Sequence, residues 1–159
     1  RKTRRRKTKQ KPEDRPPVHT ADPAPGEREK AEAKAFEAQS FFEMGMFGDA
    51  RAKLKEAVEA DPTYDQGYNL IGVTYYARDR YEDALDWYKK ALELNPANHD
   101  VYYNMACVFS ILGDKEQAVN YLQIAVLNGY VDVASIQTDK DLKNLNGDPT
   151  FEKLKAGNL

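Results

Sequence analysis

The sequence predicts an all-α fold, an α-solenoid of three antiparallel helical hairpins followed by short C-terminal helices. Two observations lead to this prediction. Small residues recur at a spacing of 34 in three columns: Ala50, Ala84 and Ala118; Ala57, Ala91 and Ala125; and Ala38, Gly72 and Ala106. Pro62 and Pro96 keep the same period. One helical hairpin is therefore repeated three times, and stacked hairpins bury a continuous core that a single hairpin cannot bury.

Before the repeats, residues 1–26 are expected to form a disordered, basic and proline-rich tail. Residues 1–15 hold nine basic and two acidic side chains, although the whole chain of 159 residues has a net charge of −2. Val18 is the one large apolar residue of the first 25. The tail therefore buries too little apolar surface to offset the entropy lost on ordering. Its densest cationic cluster comprises Arg1, Lys2, Arg4, Arg5, Arg6 and Lys7.

Three interpretations of this cationic cluster are open. In the first, it is the cytoplasmic flank of a membrane helix that precedes Arg1, because basic residues favour the cytoplasmic side of a bilayer. In the second, it contacts anionic lipid or nucleic acid through charge alone. In the third, it is a solvated tail with no binding role. The first interpretation places the chain on the cytoplasmic side of a membrane.

Six helices are predicted next, in pairs: 27–45 with 48–60, 64–78 with 81–94, and 98–112 with 115–128. Gly45 and Gly113 suit the tight exits of the first helices of their pairs. Pro62 and Pro96 end the second helices of the first two pairs, because the residue before a proline is driven out of the α region. The turns within each pair are short, so the paired helices are antiparallel.

The period fails after Gly129, and the remaining residues predict a cap. The expected helices are 131–136, 140–145 and a last one that starts at Asp148-Pro149 and runs through Leu154. Phe151 and Leu154 should cover the exposed apolar edge of the third hairpin, since terminal repeats need a polar outer face.

The repeated residues resemble the tetratricopeptide repeat family, with units at 31–64, 65–98 and 99–132 within a repeat region 27–130. The second unit matches the whole family pattern with Tyr68, Ile71, Gly72, Tyr75, Ala84, Tyr88, Ala91 and Pro96. The first unit departs from it at Lys34 and Glu37, and the third has Tyr130 where proline is expected. The resemblance implies a right-handed superhelix. Residues 131–159 resemble the capping extension of bacterial members.

In this family, one stripe of the first helices lines a concave groove that binds extended peptides or partner helices. Carried over to this chain, the resemblance implies these peptide-groove residues: Phe36, Gln39, Phe42, Asn69, Val73, Tyr76, Tyr103, Asn104 and Cys107. Aromatic rings supply desolvated contact area, and side-chain amides pair with a peptide backbone. In a second interpretation, Phe36 and Phe42 pack against another part of the chain. Members of the family that bind the C-terminal carboxylate of chaperones need cations on this stripe, and Asp100 stands at one of those positions. Because Asp100 would repel a carboxylate, we do not expect this type of binding here.

These features favour a non-catalytic protein-interaction scaffold that binds a protein or peptide partner in its groove, tethered to a membrane under the first interpretation of the tail. We expect no enzymatic activity, cofactor, metal or small-molecule substrate, because phosphate loops, nucleophile elbows and catalytic carboxylate pairs are missing from the sequence. The alternative is an electrostatic adaptor whose tail binds anionic lipid or nucleic acid while the repeats self-associate. A third hypothesis is a homo-oligomer in which the groove binds the C-terminal segment of a neighbouring copy.

Overall fold

A computed structural model describes residues 10–17 and 22–158 of the chain. Its main helices are α1 (Glu27–Glu43), α2 (Phe47–Ala60), α3 (Asp65–Tyr76), α4 (Tyr81–Leu94), α5 (His99–Leu112) and α6 (Lys115–Leu127). The C-terminal part contains α7 (Val133–Thr138), a 3₁₀ helix (Lys140–Leu145) and α8 (Pro149–Lys155). Each boundary lies within two residues of the predicted one, and the predicted all-α fold is confirmed. None of the described helices has the length and hydropathy that a membrane crossing requires.

Local signals determine where these helices begin and end. Gly45, two residues after the end of α1, and Gly113, directly after α5, adopt positive φ angles of 73° and 84°. This left-handed conformation is accessible to glycine at little cost and ends a helix tightly. The side chains of Asn98 and Asp114 accept hydrogen bonds from backbone N–H groups in the first turns of α5 and α6. Such caps satisfy donors that have no partner inside the helix.

The recurring small residues lie where the helices approach most closely. All eight alanines of the three columns are at most 2% exposed. A methyl group at Gly72 would lie 2.5 Å from the ring of Tyr88, well inside the normal contact distance. The period of 34 thus reflects repeated close packing within and between the hairpins.

The C-terminal segment completes the core of the third hairpin. Phe151 and Leu154 are 1% and 4% exposed and join an apolar cluster with Ala118 and Leu122. Ile136 of α7 belongs to the same cluster. The prediction that Phe151 and Leu154 cover this apolar edge is confirmed.

The predicted disorder of residues 1–26 is wrong for residues 10–17, which pack against α2 and α4. Pro12–Asp14 forms a 3₁₀ turn, and Asp14 is buried. The physical reason is that this segment is held by hydrogen bonds and an ion pair to Asp14, whereas the prediction considered only apolar burial. The cationic cluster at residues 1–7 lies outside the described residues.

Candidate peptide-binding groove

The nine predicted groove residues lie on α1, α3 and α5, but their exposure differs along the stripe. Phe36 and Phe42 of α1 are 76% and 36% exposed, and Gln39 between them is also exposed. The residues of α3 and α5 are less accessible. Val73, Tyr76 and Asn104 are half-buried, while Asn69, Tyr103 and Cys107 are buried. The stripe is therefore open at the first hairpin and closed at the third.

The open end of the stripe contains an apolar pocket of about 170 Å³. It is lined by Ala35, Ala38, Gln39, Phe42, Ala50, Leu54, Leu70 and Val73. Phe42 packs edge-to-face on Phe47, with 5.0 Å between the ring centroids, so its ring is held at the pocket rim. A concave apolar surface with a polar group at its edge suits one apolar side chain of a ligand.

The closed end of the stripe is filled by the chain's own 3₁₀ helix and the residue before it. The hydroxyl of Tyr103 donates a hydrogen bond of 2.7 Å to Asp139, and the hydroxyl of Tyr76 donates one to Asp141. Tyr130, which follows α6, stacks on Tyr103 with 4.4 Å between the ring centroids. Both tyrosines that were predicted to contact a partner are thus engaged by the C-terminal segment.

Apolar contacts hold this segment in place. Leu142 and Leu145 are fully buried in one cluster with Tyr103 and Cys107. The side-chain amide of Asn144 donates a hydrogen bond of 3.0 Å to the backbone oxygen of Ser110 on α5. The assignment of Tyr103 and Cys107 to an accessible groove is therefore wrong, because leucines of the cap occupy that surface.

The predicted amide contacts are also altered by contacts within the protein. Asn104 donates a hydrogen bond of 3.0 Å to the side-chain oxygen of Asn69, and Asn69 donates one of 3.3 Å to Gln66. Asn69 is 3% exposed. Asn69 is therefore not accessible in this structure, because its amide joins α3 to α5, and its role in peptide binding stays a prediction.

The thiol and the tyrosine hydroxyls at the filled end of the groove stay protonated and are poor nucleophiles. Burial, followed by the charges of Asp139 and Asp141, raises the pKa of the Cys107 thiol well above its usual range. Burial and the hydrogen bonds to the two aspartates also raise the pKa of Tyr76 and of Tyr103. These groups stay protonated at neutral pH, and a protonated buried thiol is a poor nucleophile.

A further set of interacting residues, which the sequence reasoning missed, lies around Trp87. Trp87 stacks between Tyr68 and Tyr75, with ring centroids 6.0 and 6.3 Å away, and is 1% exposed. Its indole N–H donates a hydrogen bond of 2.8 Å to the backbone oxygen of Asp14. No sequence signal links Trp87 to residue 14.

Comparison with known proteins agrees with the repeat geometry. The family model described as TPR repeat matches residues 74–113, from the end of α3 through α5. The chain is a tetratricopeptide repeat protein. Tetratricopeptide repeat protein 37 of Xenopus laevis is 33% identical to it over 90 residues, which are 56% of this chain and 6% of that protein. Transcriptional activator NprA of Geobacillus stearothermophilus is 34% identical over 83 residues, 48% of this chain and 19% of that protein.

Solved structures give the same architecture for this tetratricopeptide repeat protein. MamA superposes with a TM-score of 0.61 at 20% identity, over 80% of this chain and 66% of that one. YrrB, described as a TPR protein with an unusual peptide-binding site, superposes with a TM-score of 0.59 at 27% identity, over 68% of this chain and 56% of that one. The chain spans about a quarter or less of the curated relatives that it matches.

Proposed function

We propose that this chain is a protein-interaction scaffold that binds a short peptide or partner helix at the pocket between α1, α2 and α3. The observation that carries the proposal is an open apolar pocket beside exposed aromatic rings. Of the seven large hydrophobic side chains exposed in the described part of the chain, four lie at α1 and its exit: Phe36, Phe42, Met44 and Met46. An apolar patch of this kind is typical of an interaction site.

The charges along the stripe favour a ligand with basic residues. The groove stripe of the family also includes the positions of Glu32, Glu43 and Asp100, which are acidic, and none of the nine predicted groove residues is basic. Gln39 at the pocket rim donates a hydrogen bond of 2.9 Å to Glu43. Complementary charges guide an encounter and select against wrong partners. The expected ligand is therefore one apolar anchor flanked by lysine or arginine.

The filled end of the groove limits the length of this ligand. Tyr76 and Tyr103 already bond to Asp141 and Asp139, so a ligand contacts mainly α1 and the start of the α3 stripe. A small site with one main anchor gives modest affinity, and we expect dissociation constants in the micromolar range.

The relatives are consistent with this proposal. YrrB, at 27% identity, has an unusual peptide-binding site according to its description. We infer that this chain likewise acts by binding and not by catalysis. Membrane tethering and cytoplasmic placement stay predictions, because residues 1–9 lie outside the described part of the structure.

The experiment is a fluorescence-anisotropy titration of the full chain with labelled short peptides. Each peptide has one central Leu or Phe, flanked either by Lys and Arg or by Asp and Glu. We expect saturable binding of the basic set. Phe42→Ala removes the aromatic rim, and Ala35→Trp fills the pocket, so each change should weaken binding at least tenfold. Leu127→Ala is the control, since Leu127 is 68% exposed and outside the pocket.

Salt separates this proposal from the electrostatic alternative. Salt should screen the flanking charges but not the apolar anchor, so part of the affinity should remain at high salt, whereas capture by a basic tail through counterion release weakens steeply. The proposal is wrong if neither peptide set binds, or if Phe42→Ala and Ala35→Trp both leave the affinity unchanged.

A further inference from the structure

The face opposite the groove stripe carries a built recognition site around Asp14. We define the convex cradle as Lys55 of α2, Tyr75 of α3, Arg80 of the α3–α4 turn and Trp87 of α4. We propose that the convex cradle is a second peptide-binding site, specific for an aspartate in a proline-flanked segment, and that residues 10–17 are its built-in occupant.

The cradle contacts both the side chain and the backbone of one residue. Tyr75 donates a hydrogen bond of 2.9 Å to one carboxylate oxygen of Asp14, and Arg80 donates one of 2.7 Å to the other. Trp87 donates one of 2.8 Å to the backbone oxygen of the same residue. Asp14 is 6% exposed. Three donors from separate elements thus converge on one aspartate, which is more than a surface ion pair.

A fourth donor forms a hydrogen bond to the preceding peptide unit. Lys55 donates a hydrogen bond of 2.6 Å to the backbone oxygen of Glu13. The side chain of Glu13 itself is 68% exposed. Because two successive carbonyls and one carboxylate are contacted together, the cradle recognises a peptide with a short acidic side chain and not a lone anion.

Cations held close together in the cradle favour an anion there. The guanidinium of Arg51 lies 3.6 Å from the ring centroid of Tyr75, and that of Arg80 lies 4.9 Å from it. Burial lowers the pKa of Arg51, and the charge of Arg80 lowers it further. Burial raises the pKa of Asp14, but hydrogen bonds from Arg80 and Tyr75 outweigh this and lower it overall. The carboxylate therefore offsets a group of cations held close together.

Proline limits the conformations of the occupant. Pro12 is at the first turn of the 3₁₀ segment, and Pro16 and Pro17 follow Asp14. Fixed φ angles reduce the entropy lost on docking. At the other end of the segment, Gln10 donates a hydrogen bond of 2.8 Å to Asp86 of α4.

The cradle is not a general product of the repeat, since the other two units lack it. At the positions of Tyr75, Arg80 and Trp87, the first unit has Phe41, Met46 and Lys53, and the third has Phe109, Asp114 and Tyr121. In the third unit, Phe109 and Tyr121 stack on each other with 5.3 Å between centroids. Phenylalanine has no hydroxyl donor, and Asp114 would repel a carboxylate. Of the three units, only the second thus carries the side chains that donate hydrogen bonds to Asp14.

Trp87 is the single tryptophan of the chain, so its fluorescence reports on this site alone. The first experiment compares acrylamide quenching of the full chain with that of Asp14→Ala. We expect at least a twofold increase in quenching for Asp14→Ala, because the segment no longer covers the indole. Glu13→Ala is the matched control and should quench like the unchanged chain. Circular dichroism checks that both variants keep their helices.

The second experiment adds a synthetic peptide of residues 10–17 to the Asp14→Ala chain. We expect the peptide to restore protection of Trp87 saturably, and the same peptide with Ala in place of Asp to bind at least tenfold more weakly. The unchanged chain should respond less, because its own segment competes. If Asp14→Ala loses helix, Arg80→Gln replaces it, and quenching should rise there as well.

Two results would overturn the proposal. One is unchanged Trp87 quenching in both Asp14→Ala and Arg80→Gln. The other is equal binding of the Asp and Ala peptides. Light scattering tests the source of the occupant, since a dimer that dissociates on Asp14→Ala would show that the segment comes from a second copy and that the built-in occupancy is wrong. The peptide pocket between α1, α2 and α3 shares no residue with this cradle, so each proposal can fail without the other.

Discussion

The packing of Gly72 against Tyr88 predicts whether Gly72→Ala raises or lowers the stability of the protein. In the first and third units the same two positions hold Ala38 with Leu54 and Ala106 with Leu122, whereas the second unit combines the smallest residue with a larger ring. The volume that a methyl group occupies in two units is occupied by the Tyr88 ring in the second. We therefore expect Gly72→Ala to destabilise the protein, although alanine is the better helix former.

The magnitude follows from two opposing effects. A Cβ at residue 72 would lie 2.5 and 2.6 Å from two ring carbons of Tyr88, which is 1% exposed and has little room to move. Overpacking of this kind typically costs ~1–3 kcal/mol. Replacing a mid-helix glycine by alanine returns ~0.5–1 kcal/mol. The expected net loss in the free energy of unfolding is therefore ~0–2.5 kcal/mol, centred near 1 kcal/mol.

Gly48→Ala is the matched control. Gly48 lies in α2 with no atom within 4 Å of its ideal Cβ, so this change should leave stability unchanged or raise it by up to ~1 kcal/mol. Tyr88→Leu alone should also destabilise, because it leaves a gap beside Gly72. The double change recreates the Ala–Leu pair of the other units. Its cost should therefore fall below the sum of the two single costs by about 1 kcal/mol.

The assay is urea unfolding of all four variants and the unchanged chain, followed by far-UV circular dichroism with Trp87 fluorescence as a second probe. The reasoning is refuted if Gly72→Ala stabilises the protein as Gly48→Ala does. Simple addition of the Gly72→Ala and Tyr88→Leu costs would also contradict it, since direct contact between the two sites predicts coupling.

Two further predictions concern buried polar groups. Cys107 is buried beneath the capping 3₁₀ helix. Leu142→Ala weakens that packing by ~2–5 kcal/mol, so it should speed labelling of the Cys107 thiol at least tenfold. Lys140→Ala is the exposed control, and equal labelling rates for both variants would argue against local opening. Buried Asp61 forms an ion pair with Arg28, and its pKa is lowered overall because the hydrogen bonds from Thr63 and the Arg28 charge outweigh burial. Such a group stabilises the fold above its unfolded pKa of about 4 and loses this effect as the pH falls through the lower folded value. Asp61→Asn should therefore reduce the loss of stability on acidification, and parallel curves of stability against pH would contradict the prediction.

Features set by local sequence were predictable. Helix ends followed from Gly45, Gly113 and the two prolines, because caps and prolines act over a few residues. The buried alanine columns followed from the period of 34, since each repeat meets its neighbours in the same way. Burial of Phe151 and Leu154 followed from their spacing and from the need to cover a terminal repeat.

Features set by long-range contacts were not predictable from the pattern. The period ends at Gly129, so nothing in it shows that the following segment turns back onto α5 and brings Asp139 to Tyr103. Composition likewise assigned residues 10–17 to a disordered tail. Four hydrogen bonds from the convex cradle hold Asp14 and Glu13 there. Composition counts apolar surface and charge, but it does not reveal whether donors converge on one carboxylate.

The two segments that flank the repeats decide which of the described surfaces can accept a partner. The repeats alone offer equivalent stripes on α1, α3 and α5, but the 3₁₀ helix Lys140–Leu145 covers the α5 stripe with Leu142 and Leu145. Residues 10–17 cover the opposite face at the second unit through Asp14. Within the described part of the chain, neither segment covers the α1 stripe of the first unit, and it is there that Phe36 is 76% exposed and the apolar pocket opens. Since the covering segments are bound by specific hydrogen bonds, a partner that reproduces their chemistry could compete for either surface, whereas the first-unit pocket requires no displacement. For this reason the affinity of the first-unit pocket should be the least sensitive to changes in Asp14 or Leu142.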